Sequence, residues 1–280
     1  MNNNENSSNL REKLSRYAFS HLPFTDEINE AYLDDHRKQS LTLFREFLQF
    51  RGFALLSGEP GCGKSYLLNH LCGKLPGNTH KVMYIPFSQV GDSDMLKLIC
   101  HELGIENGMS RSRMLKVIQK CIEDMQPVNT ILVLDECQIT SHKTLETIRL
   151  LTNFHFDEKN LFSVIMAGTE DFVQMLRLRI NTALMQRITL HREIKALNRE
   201  KTREYIDHHF RAAGVQHEIL TPQAVERVFT ASAGVPRIID NLMRVALREA
   251  AEDNQDRIEL EHVRKGMINC MPTLLENEIK

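Results

Sequence analysis

A glycine-rich run between an apolar segment and an amphipathic one constrains the possible folds of this chain more than any other feature. The pattern GxxxxGK[ST] is met by Gly58-Glu59-Pro60-Gly61-Cys62-Gly63-Lys64-Ser65, followed by Tyr66. Glycines let successive backbone N–H groups turn inward around phosphate oxygens, and a helix that starts there points its positive end at them. In this pattern the lysine (Lys64) reaches the β- and γ-phosphates and the hydroxyl (Ser65) holds Mg²⁺. The run therefore predicts a nucleoside triphosphate site, Tyr66 included, between a strand and a helix.

A second motif supplies acidic groups. The apolar run 131–134 ends in Asp135 and Glu136, and the carboxyl ends of parallel strands are where such sheets bind ligands. We expect Asp135 to hold Mg²⁺, directly or through water, and Glu136 to polarise the attacking water, as a glutamine does in GTPases. The acidic pair favours ATP hydrolysis, and the absence of a guanine-reading NKxD motif weighs against a GTPase.

The rest of the chain fits an α/β fold. Short apolar runs at 53–57, 82–85, 131–134, 163–167 and 188–190 predict strands, and helical patterns at 36–51, up to 72, 94–103, 110–125 and 143–154 separate them. This alternation predicts a parallel five-stranded sheet with helices on both faces. Beyond residue 196 only helices are predicted, at 198–213, 221–234, 235–252 and 260–269. We expect a leader and adenine-side segment (1–50), an ATPase core (51–195), a helical lid (196–272) and a tail (273–280).

Composition narrows the class of protein. The 280 residues are 42% hydrophobic and 26% charged with a net charge of −2, which excludes whole-chain disorder and a protein coated in positive charge. No apolar run approaches the roughly 20 residues of a membrane span, and the polar first residues do not resemble a signal peptide. The six cysteines form no CxxC pair, so we expect reduced thiols and a cytoplasmic protein.

The motifs resemble those of the AAA+ superfamily. The resemblance is closest to ATPases of the secretion protein ExeA type, a group that includes transposon ATPases of the TnsC/TniB kind, and covers roughly residues 17–270. It is carried by the phosphate loop and by Tyr17-Ala18-Phe19, Pro23-Phe24, Asp135-Glu136-Cys137-Gln138 (similar to the family's DEAQ), Leu150-Leu151-Thr152-Asn153-Phe154, Ala167-Gly168-Thr169, Gln186-Arg187-Ile188 and Gly234-Val235-Pro236-Arg237.

This resemblance implies roles for further residues. Thr169 resembles the sensor-1 residue beside the γ-phosphate, although a strand-end cap is the alternative. Arg187 resembles the arginine finger offered to the ATP of a neighbouring subunit, with Arg179 as its rival and a surface salt bridge as the alternative. Arg237 resembles the sensor-2 residue of the helical lobe. A finger that acts between subunits requires a homo-oligomer, either a ring or a filament.

The family's N-terminal segment packs by the adenine. Phe24, Tyr32 and His36 are therefore weak candidates for adenine contact, and a role in the hydrophobic core is the alternative for each.

The resemblance leaves several functions open. We expect first an ATPase that oligomerises on double-stranded DNA and regulates transposition by recruiting or activating a transposase, together with a target-selection protein. ExeA-like secretion or pilus assembly and a helicase-loader-like role are alternatives, as is a switch with very slow hydrolysis. Because relatives of the secretion type continue into a membrane span, the end of this chain at Lys280 favours the first function and no membrane partner.

Local charge suggests where DNA would lie. Residues 171–203 hold eight basic and three acidic side chains, a net charge of +5, and Arg111, Arg113, Lys116 and Lys120 form another basic cluster. Such patches, repeated around an oligomer, are typical of sequence-independent DNA binding. A solvated face or an interface between subunits is the alternative for both. The ends, 1–16 and 271–280, are candidate docking segments or simply disordered.

Overall fold

Three strands that are buried along their whole length form the centre of a parallel sheet. The computed structural model describes residues 14–25, 31–87, 94–106, 108–153 and 160–270. Its five strands are β1 (Gly52–Gly58), β2 (His80–Pro86), β3 (Asn129–Asp135), β4 (Phe162–Gly168) and β5 (Ile188–Ile194). They pair in parallel in the order β2-β3-β4-β1-β5, which confirms the predicted fold class. Every residue of β1, β3 and β4 is buried, whereas the edge strands β2 and β5 are partly exposed.

Helices connect these strands and cover the sheet. They are α1 (Asp35–Phe50), α2 (Lys64–Gly73), α3 (Met95–Glu102), α4 (Arg111–Asp124), α5 (His142–Leu151), α6 (Glu170–Arg177) and α7 (Thr182–Met185). Apolar residues of α3 to α7 join one core with Leu55, Leu132 and Val164 of the sheet. Helices α1 and α2 contact β1 instead. The sequence predicted α1 to α5 within a few residues and missed the short helices α6 and α7.

The remaining described residues form a helical unit with its own core. It contains α8 (Arg199–Ala212), α9 (Pro222–Ser232), α10 (Pro236–Glu252) and α11 (Leu260–Cys270). Asn198 caps α8 by accepting from the backbone N–H of Lys201 at 2.8 Å, and Thr221 caps α9. The turn before α10 requires glycine, because a Cβ on Gly234 would lie 1.8 Å from the carbonyl oxygen of Leu197.

The N-terminal aromatic segment belongs to this helical unit. The Tyr17 hydroxyl donates to the carbonyl oxygen of Gln255 at 2.6 Å, and Phe24 stacks on His209 with ring centroids 4.7 Å apart. The chain thus divides into two compact units, one with the described residues from Asp35 to Lys195 and the other with those up to Asp34 and from Ala196 onward. The segment expected at 1–50 is therefore split between them. The leader to residue 13 and the tail from 271 lie outside the described residues.

No helix within the described ranges combines the length and the apolar character that crossing a bilayer demands.

Candidate functional site

The sheet brings the predicted motifs to one edge. Strand β4 lies between β3 and β1, and all three run in the same direction. Ser57 pairs with Gly168 and Leu134 with Met166, so the three strands end at nearly the same level. The phosphate loop after β1, the acidic pair after β3 and Thr169 after β4 are consequently neighbours, as the carboxyl edge of a parallel sheet requires.

The phosphate loop is built around a buried lysine. The Lys64 Nζ donates to the carbonyl oxygens of Gly58 at 2.9 Å and Glu59 at 3.1 Å, and its side chain is buried. Gly63 precedes α2 with a φ of 94°, and Gly58 passes so close to β5 that a Cβ would lie 2.3 Å from the carbonyl oxygen of Ile194. The loop thus presents backbone N–H groups, an ammonium group and a helix N-terminus together.

The other predicted loop residues differ in their exposure to solvent. The Cys62 side chain is buried, and this burial raises the pKa of its thiol. Pro60, Ser65 and Tyr66 are exposed, and Gly61 has a left-handed φ of 81°. The Ser65 hydroxyl is therefore accessible to a ligand.

A buried arginine that sequence reasoning missed supports this loop. Arg37, in the first turn of α1, donates from Nη2 to the carbonyl oxygens of Cys62 at 3.0 Å and Lys195 at 3.3 Å. It thereby ties the loop to the end of β5. No local pattern signals this role, because the partners lie 25 and 158 residues away in the sequence.

The carboxylate of Asp135 is fixed at both oxygens. Its Oδ1 accepts the backbone N–H of Glu136 at 2.8 Å, and its Oδ2 accepts the hydroxyl of Tyr84 at 2.9 Å. Tyr84 comes from the neighbouring strand β2 and was not predicted as a site residue. Burial, followed by the hydrogen bond to Asp135, raises the pKa of Tyr84, which keeps the donated proton in place at neutral pH.

Glu136 and Thr169 are linked through one side chain. Glu136 has a left-handed backbone (φ 58°, ψ 37°), and its carboxylate accepts a hydrogen bond from Nε2 of Gln138. The Oε1 of the same glutamine accepts the backbone N–H of Thr169 at 3.3 Å. The Thr169 Oγ1 is buried and has no hydrogen-bond partner among the described residues. This hydroxyl is therefore able to form a hydrogen bond with a ligand placed at the strand end.

These groups fit a nucleotide with Mg²⁺. A hydroxyl and a carboxylate, Ser65 and Asp135, are the hard oxygen donors that Mg²⁺ combines with substrate phosphates. Within the described residues no three His, Cys, Asp or Glu side chains cluster in a way that would hold a metal by themselves. The phosphates would have to complete the coordination, which is the usual arrangement for this ion.

The three candidate arginines come from three different parts of the chain. Arg187, between α7 and β5, donates from Nη1 to Thr152 Oγ1 at 3.2 Å and to the carbonyl oxygen of Arg149 at 3.4 Å. Its rival Arg179 is exposed in a 3₁₀ turn before α7. Arg237 is exposed in the first turn of α10, in the helical unit.

Of the adenine candidates, Phe24 lies in the core of the helical unit and Tyr32 packs against that core. Phe24 is buried against His209 and Phe210, and the Tyr32 hydroxyl donates to Glu204 at 3.1 Å. His36 is exposed on α1 of the other unit. The core role that the sequence left open is therefore the observed one for Phe24 and Tyr32.

Comparisons with known proteins agree with this fold. Residues 48–176 match the family model described as an AAA domain. The chain is 31% identical over 240 residues to general secretion pathway protein A of Aeromonas hydrophila; the match covers 82% of this chain and 43% of that protein. The chain thus spans less than half the length of this curated relative.

Solved structures share the fold at low sequence identity. Cdc6p from Pyrobaculum aerophilum superimposes with a TM-score of 0.71 at 17% identity, over 88% of this chain and 70% of that one. The Aeropyrum pernix ORC1 protein, solved in complex with DNA, gives 0.66 at 20% identity, over 88% and 68%. Together with the parallel sheet and the phosphate loop, these matches show that the chain has the P-loop AAA+ fold, followed by a helical region.

Proposed function

We propose that this protein binds ATP with Mg²⁺ and hydrolyses it at the edge formed by β1, β3 and β4. The observation that carries the proposal is the convergence there of the Lys64 loop, Asp135, Glu136 and the orphaned hydroxyl of Thr169. Lys64 and the loop N–H groups bind the phosphates, and Thr169 contacts the γ-phosphate. Arg237 serves as sensor 2, a role that rests on the sequence alone.

The residues divide the chemistry among them. In hydrolysis a water oxygen bonds to the γ-phosphorus, the bond to the β–γ bridging oxygen breaks, and the water gives up a proton. Glu136 orients that water and receives the proton, while Lys64 stabilises negative charge on the phosphate oxygens. Ser65 and Asp135 would hold Mg²⁺, which would supply positive charge to neutralise the charge that develops on the phosphates.

Two substitutions separate binding from hydrolysis. Glu136→Gln should leave the Kd of a fluorescent ATP analogue unchanged and lower phosphate release about 10²- to 10⁴-fold, because it removes only the base. Lys64→Ala should weaken binding itself. Glu193→Gln, an exposed glutamate on β5, is the matched control and should change neither quantity. Wild-type hydrolysis by Glu136→Gln would contradict the proposal.

Two different cellular settings each have some support. The 31% identity to general secretion pathway protein A supports an ATPase of secretion or pilus assembly. The exposed cations Arg113 and Lys116 on α4 support contact with duplex DNA. The transposition setting, with its transposase and target-selection protein, rests on the resemblance of the sequence to transposon ATPases. We take ATP-driven assembly of a homo-oligomer, through Arg187 acting on a neighbouring subunit, as common to both.

The segment 171–203 supports DNA binding less than its charge suggests. It runs through both compact units, and Arg177, Lys195, Arg199, Lys201 and Arg203 each form an ion pair with a glutamate. Five of its eight basic side chains are therefore offset by a paired glutamate. Helix α4 is the better candidate for DNA contact.

A further inference from the structure

We infer that Gln138 is a positioning residue that couples the γ-phosphate contact at Thr169 to the orientation of Glu136. The inference rests on the proposed hydrolysis and adds a residue to which neither motif assigns a role. It starts from a single side chain whose two polar ends are both engaged. Gln138 donates from Nε2 to the Glu136 carboxylate and accepts at Oε1 from the Thr169 backbone N–H.

The residue type suits this bridge. A primary amide donates at one end and accepts at the other, whereas an ionised carboxylate only accepts and an apolar side chain does neither. Gln138 is also held in place, since it lies in the 3₁₀ turn Cys137–Ile139. The fully buried Cys137 anchors that turn with a hydrogen bond from Sγ to the carbonyl oxygen of Leu134 at 3.3 Å.

Glu136 needs this support because its backbone is strained. A glutamate at φ 58° persists only where its surroundings fix it. Three contacts do so here: the backbone N–H donates to Asp135, the carbonyl oxygen accepts the N–H of Ile139 at 3.2 Å, and the carboxylate accepts from Gln138. Of these three, the contact with the glutamine is the one that holds the carboxylate itself.

The other end of the bridge lies where a γ-phosphate would be sensed. The buried Thr169 hydroxyl has no partner in the described part of the chain, while the N–H of the same residue is bonded to Gln138. A phosphate that binds the hydroxyl shifts or fixes Thr169, and the amide of Gln138 carries that change to the carboxylate. The orientation of Glu136 thereby responds to the γ-phosphate.

The test compares two glutamines that each donate to a glutamate. Gln138→Met keeps the size of the side chain and removes both hydrogen bonds. Gln174→Met is the matched control, because Gln174 donates to Glu170 at 2.7 Å on the exposed face of α6. We expect Gln138→Met to lower kcat by about 10- to 100-fold, the cost of a misplaced catalytic group, with KM and ATP affinity unchanged. Gln174→Met should match the wild type.

A second readout needs no hydrolysis. In nucleotide-free protein, hydrogen exchange at the Thr169 amide should be about threefold to tenfold faster in Gln138→Met than in the wild type, because its acceptor is gone. Gln138→Glu, which keeps an acceptor for that N–H but loses the donor to Glu136, should lower kcat while leaving this exchange slow. It also serves as the test if Gln138→Met does not fold.

The outcomes are distinct. A wild-type protein that binds ATP without hydrolysing it overturns the proposed function and the inference with it. Wild-type hydrolysis that Gln138→Met retains to within about twofold overturns the inference alone, because a lost positioning contact costs more. An unchanged exchange rate at Thr169 overturns the bridge itself.

Discussion

At the scale of single residues, the site is ordered by hydrogen bonds that exist before any nucleotide arrives. Both carboxylate oxygens of Asp135 have donors, the backbone N–H of Glu136 and the hydroxyl of Tyr84. A carboxylate fixed in this way loses little conformational freedom when it binds a metal, so pre-ordering favours binding. Partners of this kind behind a metal ligand tune its affinity.

Tyr84→Phe tests this arrangement. The substitution removes only the donated proton, and the Mg²⁺ concentration that gives half-maximal nucleotide binding should rise about tenfold. Tyr205→Phe is the matched control, since the Tyr205 hydroxyl donates to Asp240 at 2.7 Å within the helical unit. Titration of a fluorescent ATP analogue with Mg²⁺ measures both variants, and an unchanged midpoint in Tyr84→Phe would show that the bond is irrelevant to the metal.

Single residues also show which parts of the candidate site can be predicted from the sequence. The loop from Gly58 to Ser65 and the pair Asp135-Glu136 are recognisable because each motif is contiguous and its chemistry demands those residue types. The supporting roles of Arg37 and Tyr84 are not recognisable, since each joins residues that only the folded sheet brings together. Gln138 was noted within a motif, but its bond to Thr169 depends on the adjacency of β3 and β4.

At the scale of elements, apolar periodicity predicted the strands well because β1, β3 and β4 are buried on both faces and read as continuous apolar runs. Helix α6 was missed although its Phe172, Val173 and Leu176 are buried at helical spacing. Its eight residues come almost directly after β4, and a helix this short gives only a weak periodic pattern in the sequence. The sequence marked α8 and α9 more clearly, because the capping residues Asn198 and Thr221 precede them.

The prediction about DNA binding concerns helix α4. Met114, Ile118 and Ile122 are buried, which leaves Arg113 and Lys116 exposed on the opposite side, whereas Lys120 is paired with Asp124. If ATP-loaded protein binds duplex DNA through this face, log K falls linearly as log salt rises. The double variant Arg113→Ala, Lys116→Ala should make this negative slope shallower by about 2.

Fluorescence anisotropy of a labelled duplex across a salt series measures that slope. The matched control changes two exposed arginines of the helical unit, Arg244→Ala and Arg264→Ala, and should leave it unchanged. Absence of any affinity at low salt would reject the DNA setting and leave the secretion setting as the proposal.

At the scale of the whole molecule, each compact unit has a core of its own. One core lies on the sheet, and the other joins α8 to α11 with Tyr17 and Phe24 of the N-terminal segment. The sequence predicted two lobes from the point where strand signals stop. It could not assign residues 17–25 to the helical unit, because aromatic stacking on α8 leaves no periodic pattern in the segment itself.

The last prediction concerns the proposed assembly. An active site that needs an arginine from a neighbouring subunit is incomplete in a single subunit. Arg187→Ala should retain ATP binding and lose hydrolysis by about 10³-fold or more, the contribution of an arginine finger. Arg187 also donates to Thr152 at 3.2 Å, so Thr152→Val is needed as a control for local structure and should keep its activity. Arg179→Ala tests the rival in the same assay.

Mixing two inactive variants decides whether the arginine acts between subunits. Glu136→Gln supplies an intact Arg187, and Arg187→Ala supplies an intact Glu136, so a head-to-tail assembly of both contains some complete sites. Phosphate release should therefore reappear in the mixture and rise with total protein concentration, because complete sites form only on association. Full activity in a strictly monomeric wild-type preparation, or no recovery on mixing variants that co-assemble, would contradict the arrangement.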